Sequence, residues 1–276
     1  MSGRIGVCSW SLQPTGPEDL ARKVRACGLD WVQLALDPLR TGAWKVDETH
    51  HALGQEGVRA LSGMMAMAGE DYATLASIRK TGGVRPDATW SANLAAAREN
   101  AALARDLGLD LVSFHAGFIP EGAEDPARAT VFDRIRALVD VFAEAGVRVA
   151  LETGQESEGC LARALLDLRR PGAGINFDPA NMILYGTSDP VEALDLLHEW
   201  VRQVHVKDAL PSKTRGEWGT EVPAGLGAVE WDSLFAVLKK REVRCDLVIE
   251  REAGESRVDD VRRAKELVLR HLAPSG

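Results

Sequence analysis

Short, almost wholly apolar runs alternate along the chain with longer segments whose apolar residues recur every three or four positions. The runs begin at Ile5 (IGVCSW), Trp31 (WVQLAL), Val58 (VRALSGMMAM), Leu111 (LVSFHA), Val147 (VRVALE), Gly174 (GINFD), Val201 (VRQVHV) and Asp246 (DLVIE). Between them lie helical stretches such as EDLARKVRAC, SANLAAARENAALARDLG, FDRIRALVDVFAEAG, PVEALDLLHEWV and WDSLFAVLKK. A run that is apolar on both alternating faces has no solvent side, as in a parallel sheet covered by helices. Gly28, Gly108 and Gly146 stand where helices should end, and Ser91 and Asp189-Pro190 where helices should begin. Eight strands, each followed by a helix, predict an α/β protein with a closed (β/α)8 TIM barrel. At 276 residues this is one domain, spanning 1–276.

One connection is unusually long. From Gly69 to Asp110 the sequence holds one clear helix and a Gly/Pro-containing loop, TGGVRPDATW. A long excursion after a barrel strand opens on the catalytic face, so this segment is expected over the site. The tail after His271, LAPSG, is expected to fray.

The formal charge of −8 argues against phosphate-backbone binding, so no nucleic-acid partner is expected. No basic and apolar leader opens the chain, and no segment approaches the ~20 apolar residues of a membrane helix. A cytoplasmic protein with no membrane partner is expected. Cys8, Cys27, Cys160 and Cys245 are widely spaced, without a C-x-x-C pair, and read as free thiols.

The chemistry shows in what ends each run. The fifth ends in Glu152, the sixth in Asp178 and the eighth in Glu250, while the seventh carries His205 near its end. Strand C-termini converge on one rim of a barrel, so three carboxylates and an imidazole should meet there. Carboxylates so crowded repel unless a cation neutralises them, which predicts one divalent metal. Oxygen-rich ligation with one imidazole suits Mn²⁺, Mg²⁺ or Co²⁺ better than structural Zn²⁺. Taken singly, Glu152 or Glu250 could equally be a rim carboxylate paired with an arginine, and His205 a satisfied core histidine. Four consecutive strand ends favour the metal.

With these residues in hand, the sequence resembles the xylose isomerase-like TIM barrels, the sugar (phosphate) isomerases and epimerases. The motifs that carry the resemblance are LETG (151–154), NFDPAN (176–181), VHVKD (204–208), GLGAVEW (225–231) and VIE (248–250). The resemblance implies that Glu152, Asp178, His205 and Glu250 bind one Mn²⁺-like ion, with Mg²⁺, Co²⁺ and Zn²⁺ as alternatives. It implies that Glu152 and Glu250 are the acid/base pair, which would move a proton beside a carbonyl through a metal-stabilised enediolate. The substrate would be a small sugar or keto-acid, and a homodimer or homotetramer is common among such proteins. A lyase or dehydratase acting on a keto-inositol or dehydroshikimate-like compound is the alternative, because the same enolate can expel a β-hydroxyl. The family also includes apurinic endonucleases, but here Met64, Met65, Met67 and Asn181 stand where further histidines would be needed.

Other candidates are open to two readings. His115 and Trp10 are candidate substrate contacts or core residues, and Phe114 is a candidate pocket wall or core ring. Glu158 and Lys207 match family positions that touch substrate, or they are salt-bridged. Asp208 is expected to orient its loop. Arg85, Lys213 and Arg215 are candidates for a phosphate or are simply solvated.

Overall fold

The computed structural model describes residues 3–122 and 124–273. Eight parallel strands close into a barrel: β1 (Ile5–Cys8), β2 (Trp31–Ala35), β3 (Arg59–Met64), β4 (Leu111–Phe114), β5 (Arg148–Glu152), β6 (Ala173–Phe177), β7 (Val201–Val206) and β10 (Asp246–Ile249). Two short strands, β8 (Asp208–Leu210) and β9 (Thr220–Val222), pair antiparallel outside the barrel. The barrel order runs in sequence and closes where β1 pairs with β10.

The main hydrophobic core lies between barrel and helices, where Val32, Leu34, Val112, Phe114, Val149, Ile175, Phe177 and Val204 meet Leu20, Ile135, Leu138, Phe142, Leu194 and Leu234. Inside the barrel the filling is different. A small apolar plug of Cys8, Leu61 and Val248 sits under Trp10 and Trp31. Beside it lies a buried polar set of Gln33, Ser62, Ser113, Asn176 and Gln203. The runs therefore look apolar along their length because their outward residues are; several inward ones are amides and hydroxyls.

Helix boundaries follow local chemistry. Gly28, Gly108 and Gly146 all adopt left-handed φ after a helix, as their positions predict. Asp189 caps the helix Pro190–Leu197 by accepting from the N–H groups of Val191 and Glu192. Ser91 is not a helix start: the helix runs Asp87–Asp106, because Pro86 in extended conformation ends the preceding loop four residues earlier. The long connection also holds a second helix, Leu75–Thr81, with a capping box between Thr74 and Ser77. The strand run from Val58 stops pairing at Met64. The β8–β9 hairpin after β7 interrupts the simple strand–helix rhythm before the helix Trp231–Lys240. Leu272 closes the helix Arg257–Leu272, and Pro274–Gly276 of the expected frayed tail lie outside the described residues.

All four cysteines are free, three of them buried. Among the described residues no helix is long and apolar enough to cross a membrane.

Candidate metal centre

β5, β6, β7 and β10 are neighbours in the barrel, and their register sets four side chains at one level. Glu152 ends β5 opposite Asn176, Asp178 follows β6 directly, and His205 of β7 lies opposite Val248, two residues before Glu250. His205 Nδ1 stands 3.4 Å from Glu152 Oε1, 3.4 Å from Glu250 Oε2 and 3.8 Å from Asp178 Oδ2. One ligand atom from each of the four residues lies within 4.8 Å of all the others. The set anticipated from strand ends is thus brought together.

Local structure aims these groups. Asp178 is both site residue and helix cap: its Oδ1 accepts from Asn181 N at 3.0 Å, which leaves Oδ2 pointing at the cluster. Thr153 Oγ1 accepts from Asp178 N at 2.8 Å and ties the ends of β5 and β6. Gly154 has φ of +135°, and any side chain there would collide with Asn181. That close approach lets Asn181 Nδ2 donate to Glu152 Oε1 at 3.2 Å.

The electrostatics are those of a cation site. Burial opposes charge on Glu250, but Lys207 and His205 outweigh it and hold the carboxyl well below the usual range. Glu152 is also lowered, against burial, by His115 and His205. Asp178 is pushed up to about 6 by burial, even with Lys207 nearby. Burial likewise opposes charge on His205, yet Cys8, Glu250 and Glu152 raise its pKa well above that of a free imidazole. Asp178 Oδ2 and His205 Nδ1 are buried without a hydrogen-bond partner. Two orphaned acceptors facing two further carboxylates fit a divalent cation, since a buried lone pair with no partner is otherwise costly. A second grouping, Cys8, His205 and Glu250, also has ligand-type atoms close together. It is the poorer donor set, because burial pushes the Cys8 thiol up to about 12 and its sulfur approaches the other imidazole nitrogen, Nε2.

Nε2 of His205 faces the polar barrel interior. It lies 2.8 Å from Gln33 Oε1, while Gln33 Nε2 donates to Ser113 Oγ at 2.9 Å and to the Gly63 carbonyl at 3.3 Å. The backbone carbonyl can only accept, so the Gln33 amide is oriented and Nε2 of His205 must carry the hydrogen. Nδ1 is then the nitrogen that can offer its lone pair to a cation, once the proton that Glu152 and Glu250 favour there is displaced. The Asn176 amide lies 3.0 Å from Nε2 and 3.3 Å from Glu152 Oε2.

A cavity of about 650 Å³ opens above the cluster, lined by Glu152 and Glu250 and by Trp10, His115, Asn181 and Lys207. Trp10 Nε1 donates to Glu250 Oε1 at 2.8 Å, and His115 Nε2 lies 3.8 Å from Glu152 Oε1. Lys207 Nζ donates to Glu250 Oε2 at 2.9 Å, Glu252 Oε2 at 2.5 Å and Asn181 Oδ1 at 3.3 Å. Glu158 does not line this cavity; it opens the helix Glu158–Leu168, where its Oε2 accepts from Ser188 Oγ at 2.5 Å. Phe114 is fully buried in the outer core rather than in the pocket wall. Arg85 lines a separate cavity, and Lys213 and Arg215 are exposed. Glu70, Tyr72, Tyr185, Trp218 and Glu252 also line it and were not anticipated, and Ala35, Asp37, Met64, Ala66 and Leu184 complete the wall. Only Glu252 carried a signal, its two-residue spacing from Glu250.

Asp208 explains two motifs at once. Its carboxylate accepts from the N–H groups of Gly225, Gly227 and Val229 and from Trp231 Nε1 at 2.8 to 3.2 Å, so VHVKD organises the GLGAVEW loop.

A sequence profile described as xylose isomerase-like TIM barrel matches residues 21–271. The chain belongs to this family. Among solved structures, a xylose isomerase domain protein from Planctomyces limnophilus is 32% identical, with a TM-score of 0.85 and 91% of each chain covered. A xylose isomerase-like TIM barrel protein from Mycobacterium smegmatis, solved in complex with magnesium, is 16% identical with a TM-score of 0.73, covering 99% of this chain and 100% of that one. A D-allulose 3-epimerase from Methylomonas sp. is 16% identical with a TM-score of 0.72, covering 98% of both. At 16% identity the last two show a shared fold alone. No curated protein sequence matches.

Proposed function

We propose that the chain is a divalent-metal-dependent sugar isomerase or epimerase in which Glu152 and Glu250 exchange a proton with a carbon beside a carbonyl. The observation that carries this is the pair of buried carboxylates in one cavity, each 3.4 Å from the same imidazole nitrogen. Glu152, Asp178, His205 and Glu250 would hold the ion; Mn²⁺ suits this oxygen-rich set, and when bound it supplies electrophilic stabilisation of the oxygen that turns negative.

The chain's own groups divide the remaining work. Lys207 and His205 keep Glu250 ionised, so it can accept a proton at neutral pH. Trp10 fixes the Oε1 atom of that carboxylate through its indole N–H. Glu152 is steadied by the Asn176 and Asn181 amides, with His115 beside it, and stands ready to exchange a proton from the other side. Trp10, Tyr72, Tyr185 and Trp218 give the cavity flat apolar walls that suit the C–H faces of a sugar and reduce water access. The whole-length fold likeness to a D-allulose 3-epimerase supports this reading.

Solvent deuterium wash-in on a panel of ketoses with Mn²⁺ present, read by NMR, tests it. Deuterium should appear at a carbon adjacent to the carbonyl and vanish in Glu152→Gln and Glu250→Gln. Full exchange in both variants would refute the assignment. Loss of water from the substrate instead, seen as a new enone or dione absorption, would make the chain a lyase.

A further inference from the structure

We infer that the cavity selects an uncharged polyhydroxy ketone or aldehyde and rejects the phosphate ester or uronate of the same sugar. The inference rests on the proposed sugar chemistry and deepens it by fixing the charge of the substrate.

The charge around the cavity is lopsided. Glu70, Glu152, Glu250 and Glu252 line it, and Asp178 lies just behind them. Asp37 also lines it but is paired with Arg40 at 2.9 Å and is left out of the count. Against these five carboxylates stand one ammonium, Lys207, and the two charges of a bound divalent cation. Two negative charges remain in excess, or one if His115 is protonated.

Lys207 cannot serve a phosphate. Its three N–H hydrogens go to Glu250, Glu252 and Asn181, so a new anion would have to displace a carboxylate. No arginine lines the cavity among the described residues. Where the long connection from β3 lines this cavity it places Glu70 and Tyr72 there. Glu70 is held in place there, with Oε1 accepting from Gly83 N at 2.9 Å and Oε2 accepting from Tyr72 Oη at 3.1 Å.

A cationic cluster lines another cavity. Arg79, Lys80 and Arg85 line a neighbouring cavity together with Glu121, Asp125 and Glu156. The hydrogen bond from Gln155 Nε2 to Tyr185 Oη, 3.1 Å, joins a wall residue of that cavity to a wall residue of the other. A phosphate on a substrate seated at the metal centre therefore meets carboxylates. At an effective dielectric near 20, two like unit charges about 8 Å apart weaken binding by roughly thirtyfold.

Isothermal titration of the Mn²⁺-loaded protein tests this with matched probes: D-fructose against D-fructose 6-phosphate and D-fructuronate, and D-ribulose against D-ribulose 5-phosphate. At low ionic strength each anionic probe should bind roughly tenfold or more weakly than its neutral parent. The gap should shrink in about 1 M salt, where the screening length falls to about 3 Å. Glu70→Gln should narrow it by a few fold. An ester or uronate that binds as tightly as its parent overturns the inference, and so does failure of both neutral ketoses to bind. Neutral ketoses that bind without any deuterium exchange would leave charge selection standing and remove the proton-transfer reading.

Discussion

Replacing Gln33 with methionine should weaken metal binding without touching any proposed ligand. Methionine keeps the length and apolar stem of the side chain but removes the Oε1 acceptor that lies 2.8 Å from His205 Nε2. The neutral imidazole is then free to keep its hydrogen on Nδ1, directed at Glu152 and Glu250, each 3.4 Å away. A metal must displace that hydrogen before it can bind. Loss of an outer partner of a ligating histidine typically costs 10- to 100-fold in affinity, about 1.4 to 2.7 kcal/mol. Stability falls too, because Ser113 Oγ and the Gly63 carbonyl lose their donor, at about 1–3 kcal/mol. Ser113→Ala separates the two effects: it removes a partner of Gln33 Nε2 but leaves Oε1 facing the imidazole. Mn²⁺ affinity measured by calorimetry, with thermal unfolding of the apo forms alongside, should show the drop for Gln33→Met and a change within about threefold for Ser113→Ala. Equal affinities for the two variants would refute the tautomer argument.

Two other perturbations probe the frame around the site. Glu156 is buried and pushed up to about 7 from an ordinary 4.5, chiefly by burial. The folded state therefore holds a proton that the unfolded chain releases between these values, and the associated stability is full below about 4.5 and lost as pH rises through about 7. Glu156→Gln should stabilise the protein on the order of 2–3 kcal/mol at pH 8 and hardly at all at pH 4.5, measured by urea unfolding; an equal effect at both pH values would contradict this. Asp208→Ala strips the shared acceptor from four backbone N–H groups, those of Ala209, Gly225, Gly227 and Val229, and from one indole. It should cost about 3 kcal/mol or more in denaturant unfolding and speed hydrogen exchange in the Gly225–Trp231 loop; a loss below about 1 kcal/mol would count against its organising role.

Much of the fold and the four-residue cluster was legible because strand ends in a parallel barrel converge. Each of Glu152, Asp178, His205 and Glu250 closes or nearly closes an apolar run, and counting runs was enough to place them on one rim. The wall was harder to read. Glu70 and Tyr72 come from a connection whose path no periodicity specifies, and Trp218 comes from the stretch between β8 and β9. Gln33, Asn176 and Gln203 were visible as polar residues within apolar runs, but only the closed barrel shows that they share an interior in which Gln33 and Asn176 reach His205. Glu158 matches a family position by motif, but the motif does not reveal that it opens the helix Glu158–Leu168 outside the cavity lining. Ser91 is a plausible cap by composition, yet Pro86 had already set the backbone. Lys207 lines the cavity as expected, but its saturation by Glu250, Glu252 and Asn181 depends on Glu252 folding back over it, which spacing alone does not reveal.

Glu152, Asp178, His205 and Glu250, from neighbouring barrel strands, are proposed to form one divalent-metal centre. Titrating chelator-stripped protein with Mn²⁺, followed by electron paramagnetic resonance of the free ion, tests it most directly. One ion should bind per chain, with binding abolished in His205→Ala and Asp178→Asn. No bound ion in the wild-type chain, or one ion retained by both variants, would contradict it.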